Sequence, residues 1–90
     1  MGAAMTTRLL SANPLTTGRL ELLIEARAST LARAQLFDVA GRVVATAEQR
    51  LAPRAAARVS FDTRSLAPGL YLVRVVDGTV HATNRVVIAR

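Results

Sequence analysis

His81 is the only histidine in this 90-residue chain, and the chain has no cysteine. A metal site needs several ligands brought together, and one imidazole without thiolates does not make that set. The residue pattern puts His81 on the outward face of a strand, where a lone histidine is a solvated residue. There are six carboxylates: Glu21, Glu25, Asp38, Glu48, Asp62 and Asp77. Glu21 and Glu25 share a strand face, but at ~3.3 Å per residue they stand about 13 Å apart, wider than the pair that cleaves a glycoside. The three aspartates fall at strand ends or turns, where Asp accepts hydrogen bonds from turn amides, and no cluster of loop carboxylates marks a calcium site. Serines and threonines lack a partner base, because there is no Gly-x-Ser-x-Gly elbow and the only base is His81. No glycine-rich phosphate loop occurs. These residues predict a chain without catalytic residues, metal or cofactor.

Composition narrows the class further. The net charge is +6, and all twelve basic residues are arginines, spread from Arg8 to Arg90 without a run. A nucleic-acid partner requires clustered cations, so a solvated, outward-facing set is expected instead. Hydrophobic residues make up 51% of the chain, yet only Phe37, Phe61 and Tyr71 are aromatic. The core must therefore be built from Leu, Val, Ile and Ala, which leaves few rings for a sugar-stacking face. Ninety residues form one domain, burying about 60–65% of its unfolded surface. No apolar run approaches the ~20 residues of a membrane helix. Met1 to Leu10 has no signal-peptide pattern. Residues 1–10 read as leader, linker or cloning remnant, with Met1 to Thr7 outside the fold, and residues 11–90 as the domain, expected to be a monomer.

The elements that must position any site are strands. Turn signals recur every eight to twelve residues, the spacing of a sandwich or barrel. Arg19 to Glu25 alternates Leu20, Leu22 and Ile24 against Arg19, Glu21 and Glu25. Ala26 to Thr30 turns the chain. Ala32 to Val39 then sets Ala34 and Leu36 against Arg33, Gln35 and Phe37. Gly41 closes a tight connection from Asp38, and Arg42 to Ala47 returns as a hairpin. Glu48 to Ala57, interrupted by Pro53, reads as a loop with at most a short irregular strand. Arg58 to Asp62 turns Val59 and Phe61 inward. Leu70 to Val76 and Thr79 to Ile88 flank Asp77-Gly78, a two-residue hairpin signal. Taken as the turn, that pair sets Val75 opposite Val80, Arg74 opposite His81 and Leu72 opposite Thr83. Tyr71, Val73, Val75, Val80 and Ala82 then share the inner face, and Arg74, Thr79, His81 and Thr83 the outer one. Asn84 continues the inner period badly, so a bulge is expected there. Six or seven antiparallel strands with one apolar face each are buried most economically as two facing sheets.

Four stretches also carry a likeness. Asn13-Pro14, Leu36-Phe37-Asp38-Val39-Ala40-Gly41-Arg42-Val43-Val44, Leu66-Ala67-Pro68-Gly69-Leu70-Tyr71-Leu72-Val73-Arg74-Val75 and Thr83-Asn84-Arg85-Val86-Val87 resemble, in order and spacing, the landmarks of the type A carboxy-terminal sorting domain of the type IX secretion system. The likeness covers Ser11 to Arg90. It departs at Ala12, where the family opens with proline, at Phe37, where it usually has tyrosine, and at Arg85, where lysine is usual. It implies an immunoglobulin-like β-sandwich on exported proteins of Gram-negative bacteria. Such a domain follows an amino-terminally fused cargo through the periplasm, is recognised by the outer-membrane translocon, and is removed in many members by a sortase-like protease. The cargo ends at the cell surface or in the medium.

The landmarks also have structural roles of their own. Gly41 and Gly69 permit turn geometry, and Pro68 fixes φ before a strand. Asp38 can accept from turn amides. Tyr71 can bury its ring and place its hydroxyl on loop backbone. Asn13, Pro14, Asp38, Gly41, Pro68, Gly69, Tyr71, Asp77 and Gly78 are thus expected to shape the fold. Recognition by the translocon is expected from the polar side of the final hairpin: Arg74, His81, Thr83, Arg85, Val86, Val87 and Arg90. The alternative reading is an immunoglobulin-like accessory or spacer module of a secreted enzyme, weakly carbohydrate-binding.

Overall fold

Leu20, Leu22 and Ile24 are completely shielded from water, while Arg19 and Glu25 on the opposite parity are exposed. That alternation, repeated strand after strand, makes the two faces of the sandwich. The computed structural model describes residues 5–11, 13–26, 30–77 and 80–89. Seven strands run through them: β1 (Met5–Leu9), β2 (Arg19–Ala26), β3 (Thr30–Phe37), β4 (Val43–Leu51), β5 (Ala56–Asp62), β6 (Gly69–Asp77) and β7 (Val80–Ile88). They form two antiparallel sheets, one ordered β1-β2-β5 and the other β4-β3-β6-β7. The inner faces meet over a core of aliphatic side chains with Phe61 and Tyr71 among them, and β4 meets β5 while β1 meets β7 along the margins. This is an all-β, immunoglobulin-like sandwich whose fourth strand pairs with the third.

Several expectations are corrected. Met1 to Thr7 was to lie outside the fold, yet Met5–Leu9 pair with β2, Leu9 opposite Leu22. Thr7 and Leu9 are half-buried while Thr6 and Arg8 are exposed, so this short strand obeys the same alternation. Ser11 extends the contact: its Oγ accepts from Glu21 N at 2.8 Å and donates to Arg19 O at 3.1 Å.

The loop read over Glu48 to Ala57 is mostly strand. β4 continues to Leu51, pairing with Leu31 and Thr30, and β5 already begins at Ala56. Ala45, Ala47 and Gln49 are half-buried and Leu51 is buried, whereas Thr46, Glu48 and Arg50 face water. Pairing with β3 overrides the helical preference of Ala and Arg. Only residues 52–55 turn, with Ala55 N donating to Ala52 O at 3.1 Å and Arg54 at φ 58° after Pro53.

The last hairpin keeps its faces but not its pairing. Val75 lies opposite Ala82, Arg74 opposite Thr83, Leu72 opposite Arg85, and Asp77 closes the ladder opposite Val80. Each partner is displaced by two positions from the expected one, and an even displacement preserves which side chains share a face. The connecting residues Gly78 and Thr79 lie outside the described residues, as do Ala12, Arg90 and residues 27–29 of the turn expected over Ala26 to Thr30. No bulge interrupts Asn84, which is half-buried opposite Val73. The irregularity falls at the turn end of the β3–β4 ladder, where Leu36 pairs with Ala45 and Phe37 with Val43, leaving Val44 as the extra residue of β4.

In that turn, Asp38 N donates to Arg42 O, and Gly41 N donates to Asp38 O, both at 3.0 Å. Gly41 sits at φ 85° with open space where a Cβ would be. Gly41→Ala therefore meets only the backbone penalty, about 1–2 kcal/mol. Its melting midpoint should fall by roughly 4–8 °C per kcal/mol; an unchanged midpoint in a thermal melt would contradict the turn.

Candidate functional site

The outward positions of the four-stranded sheet bring most of the expected recognition residues together. On β6 and β7 the cross-strand pairs are Leu70 with Val87, Leu72 with Arg85, Arg74 with Thr83, and Val76 with His81. On the other side of β6, β3 sets Phe37 beside Leu72 and Gln35 beside Arg74. Arg74, His81, Thr83, Arg85 and Val87 are exposed on this face. Val86 is not: at 1% exposure it points into the core opposite Tyr71, so its side chain cannot belong to a surface. Arg90 lies outside the described residues. Every described arginine is exposed, which bears out the solvated reading of the charge. Among the described residues, neither Arg74 nor Arg85 has a carboxylate partner; the ion pairs are Arg33–Glu48, Arg42–Asp38, Arg58–Glu21 and Arg64–Asp62.

The same face holds apolar residues that the sequence reading passed over. A groove of about 620 Å³ lies between the β3–β4 turn and the β6–β7 hairpin, floored by Phe37, Leu70 and Leu72. Leu70 and Leu72 are each 40% exposed. Their parity with Arg74 was the available signal: two leucines stand at positions that alternation assigns to solvent.

The landmark residues turn out to be builders of this face. The Asp38 Oδ1 accepts from Ala40 N at 2.9 Å and Arg42 N at 3.0 Å, while its Oδ2 accepts from the Arg42 guanidinium at 3.0 Å. The Tyr71 hydroxyl donates to Ala67 O at 2.6 Å, and the ring is buried. That ties the loop before β6, with Pro68, to the strand that Gly69 opens. Asn13 works at the far margin. Its Nδ2 donates to Arg85 O at 3.2 Å and its Oδ1 accepts from Val87 N at 3.0 Å. After the cis Asn13-Pro14 bond, Leu15 N donates to Val87 O at 2.7 Å and Leu15 O accepts from Ala89 N at 2.8 Å. Residues 13–15 thus form a strap along the outer edge of β7.

Asp62 and Arg64 form a further pair that the sequence reading did not anticipate. The Arg64 Nε and Nη2 donate to the two carboxylate oxygens at 3.0 and 2.8 Å, and its amide adds a third bond at 3.0 Å. The Arg64 side chain and then its amide hold the Asp62 carboxyl well below the usual carboxylate range. The Arg42 amide, helped by its guanidinium, holds Asp38 low as well. A carboxyl with a depressed folded pKa contributes stability that is present above the unfolded value, near 3.8. That contribution is lost as pH falls through the lower folded value. The melting temperature should therefore drop below about pH 4, and Asp62→Asn or Asp38→Asn should drop less steeply there. Parallel acid profiles for parent and variants would contradict both pairings.

No described helix is long and apolar enough to cross a membrane, and no described group of carboxylates and histidine is arranged to hold a metal. Compared with known proteins, the chain matches the family model described as the secretion system C-terminal sorting domain over residues 13–89. No curated protein matches it. The strap, the Asp38 turn, the Tyr71 corner and the last hairpin all fall inside the matched region, and on that match the chain belongs to the family of C-terminal sorting domains, the sorting signals of type IX secretion.

Proposed function

We propose that this domain is the handle by which a cargo fused to its amino-terminal side, after transit through the periplasm, is taken across the outer membrane by the type IX translocon. The observation that carries the reading is the family match over residues 13–89, which takes in six of the seven strands. The family is not an enzymatic one, and membership implies a fused cargo, the type IX machinery and delivery to the cell surface or the medium. The domain itself does no chemistry. A sortase-like protease removes it where the host provides one.

The reading face is the outer surface of β6 and β7, with Arg74, His81, Thr83, Arg85 and Val87. Support comes from their common exposure and from the two arginines, which have no ion-pair partner among the described residues. The accessory-module reading gains nothing comparable. Phe61 and Tyr71 are buried at 5% and 7% exposure, leaving Phe37 as the one ring near a surface, and a sugar-stacking face needs several.

The test fuses the chain to a periplasm-exported reporter in a host that has type IX secretion and in the same host without its translocon. Reporter on the surface or in the medium of the first strain only is the expected result. Reporter retained in the periplasm of both strains would overturn the reading.

A further inference from the structure

We propose that the groove lined by Phe37, Leu70 and Leu72 is a docking cleft for an extended protein segment that carries two apolar side chains and a carboxylate on one face, at alternate positions. The proposal deepens the sorting reading and rests on it for placing that segment in the secretion machinery.

The apolar exposure of the described surface is concentrated. Six of the eight large hydrophobic residues with substantial exposure are Val39, Val43, Val44, Leu70, Leu72 and Val87. The ladders place four of them at one end of one sheet, where Val43 pairs with Phe37, Phe37 with Leu72, and Leu70 with Val87; Val44 follows Val43, and Val39 lies in the adjoining turn. An apolar patch gathered in this way on a small domain marks an interaction site. Val39, Leu70 and Leu72 of this patch, with Phe37, line an open groove of about 620 Å³.

Charge selects the occupant. Arg74 lines the groove, and Arg85 stands beside Leu72. The one carboxylate in the lining, Asp38, is already bonded to Arg42 and to turn amides. The described face therefore offers apolar area and cations without a free anion, and its complement is apolar and acidic. A second copy of the chain would bring the same cations and a net charge of +6. An anionic bilayer is held by clustered cations, whereas the remaining described arginines are distributed over both sheets. Spacing adds the conformation. Leu70, Leu72 and Arg74 recur at about 6.6 Å along β6, the distance between alternate residues of any extended strand. A segment lying along β6 can set two apolar side chains over the leucines and a carboxylate at Arg74.

The experiment titrates the 90-residue chain into a short labelled peptide, Ser-Leu-Ser-Leu-Ser-Glu-Ser, into its counterpart with Lys in place of Glu, and into phosphatidylglycerol vesicles. Leu72→Ser and Arg74→Glu test the groove; Arg8→Glu, on the other sheet, is the charge control. The acidic peptide should bind, weakened about tenfold or more by Leu72→Ser and by Arg74→Glu but not by Arg8→Glu, and neither the Lys peptide nor the vesicles should compete. Failure of the acidic peptide to bind, indifference to Leu72→Ser, or retention on vesicles would overturn the proposal. The same variants, checked for unchanged melting, are then carried into the reporter fusion. If the parent is exported and both groove variants are exported equally well, the cleft is refuted while the sorting reading stands. If the parent stays in the periplasm, the sorting reading fails and the peptide titration alone judges the cleft.

Discussion

Tyr71→Ala is expected to lower stability by about 3–5 kcal/mol, as for other buried rings, and Tyr71→Phe by about 1 kcal/mol. The ring lies in β6 at 7% exposure, opposite Val86 at 1%, so its removal leaves a cavity between the two sheets. The hydroxyl contributes separately, through a 2.6 Å bond to Ala67 O; without it that carbonyl loses its internal partner. A domain of this length has roughly 5–13 kcal/mol in total, so the alanine variant forfeits a large share of it. At about 4–8 °C per kcal/mol, the phenylalanine variant should melt slightly below the parent, and the alanine variant should be substantially unfolded at growth temperature. Thermal and urea melts of the three proteins measure both steps. A phenylalanine variant as stable as the parent would remove the corner bond from the account, and an alanine variant that melts with the phenylalanine one would remove the core role. In the reporter fusion, the phenylalanine variant should still be exported, because the outer face is untouched.

The second large effect separates folding from recognition in the last strand. Deleting residues 86–90 removes Val86 and Ile88, at 1% and 4% exposure, each contributing about 1.5–3 kcal/mol of burial. It also takes away both ladder partners of Leu15. The truncated chain should show no cooperative melt, and export of its fusion should be lost. Arg85→Glu and Val87→Ser change neighbouring residues that face water, and should shift stability by no more than about 0.5 kcal/mol. Their export therefore reports on recognition, whereas the truncation reports on folding. A truncated chain that melts cooperatively near the parent would show that β7 is dispensable to the core.

The faces of this sandwich were legible from residue types, and the reason is local. In β2, β5 and β6 the buried side chains are large, such as Leu20, Leu22, Phe61 and Val73, and in β3 Leu36 marks the face that Ala32 and Ala34 share; the charged residues of these strands have the opposite parity, except Asp77 at the end of β6. β4 was harder because its inward residues are Ala45, Ala47 and Gln49, which bury too little to stand out and carry helical propensity. β1 was hidden for a similar reason, since among its described side chains only Thr7 and Leu9 turn inward, and both are half-buried. The last hairpin shows what a turn signal fixes: Asp77-Gly78 located the reversal, and parity held, but the pairing moved by two positions. Of the recognition face, the polar residues followed from alternation. Leu70 and Leu72 were placed in a strand without being assigned to either face, and Val86 was carried with its exposed neighbours although its parity pointed inward. The strap could not be read at all, because Asn13 finds its partners 72 and 74 positions away.

That separation gives the strap a further consequence. Asn13 and the edge it covers come from opposite ends of the matched region, so no shorter piece of the domain contains both halves of the contact. Bringing the two ends together carries a loop-closure entropy cost. A copy interrupted on either side leaves the amides and carbonyls of β7 unpaired, a template for sticking to other chains. The finished fold is thus a certificate of integrity: a full-length copy differs from a clipped one at the edge of a single strand, before any cargo is inspected.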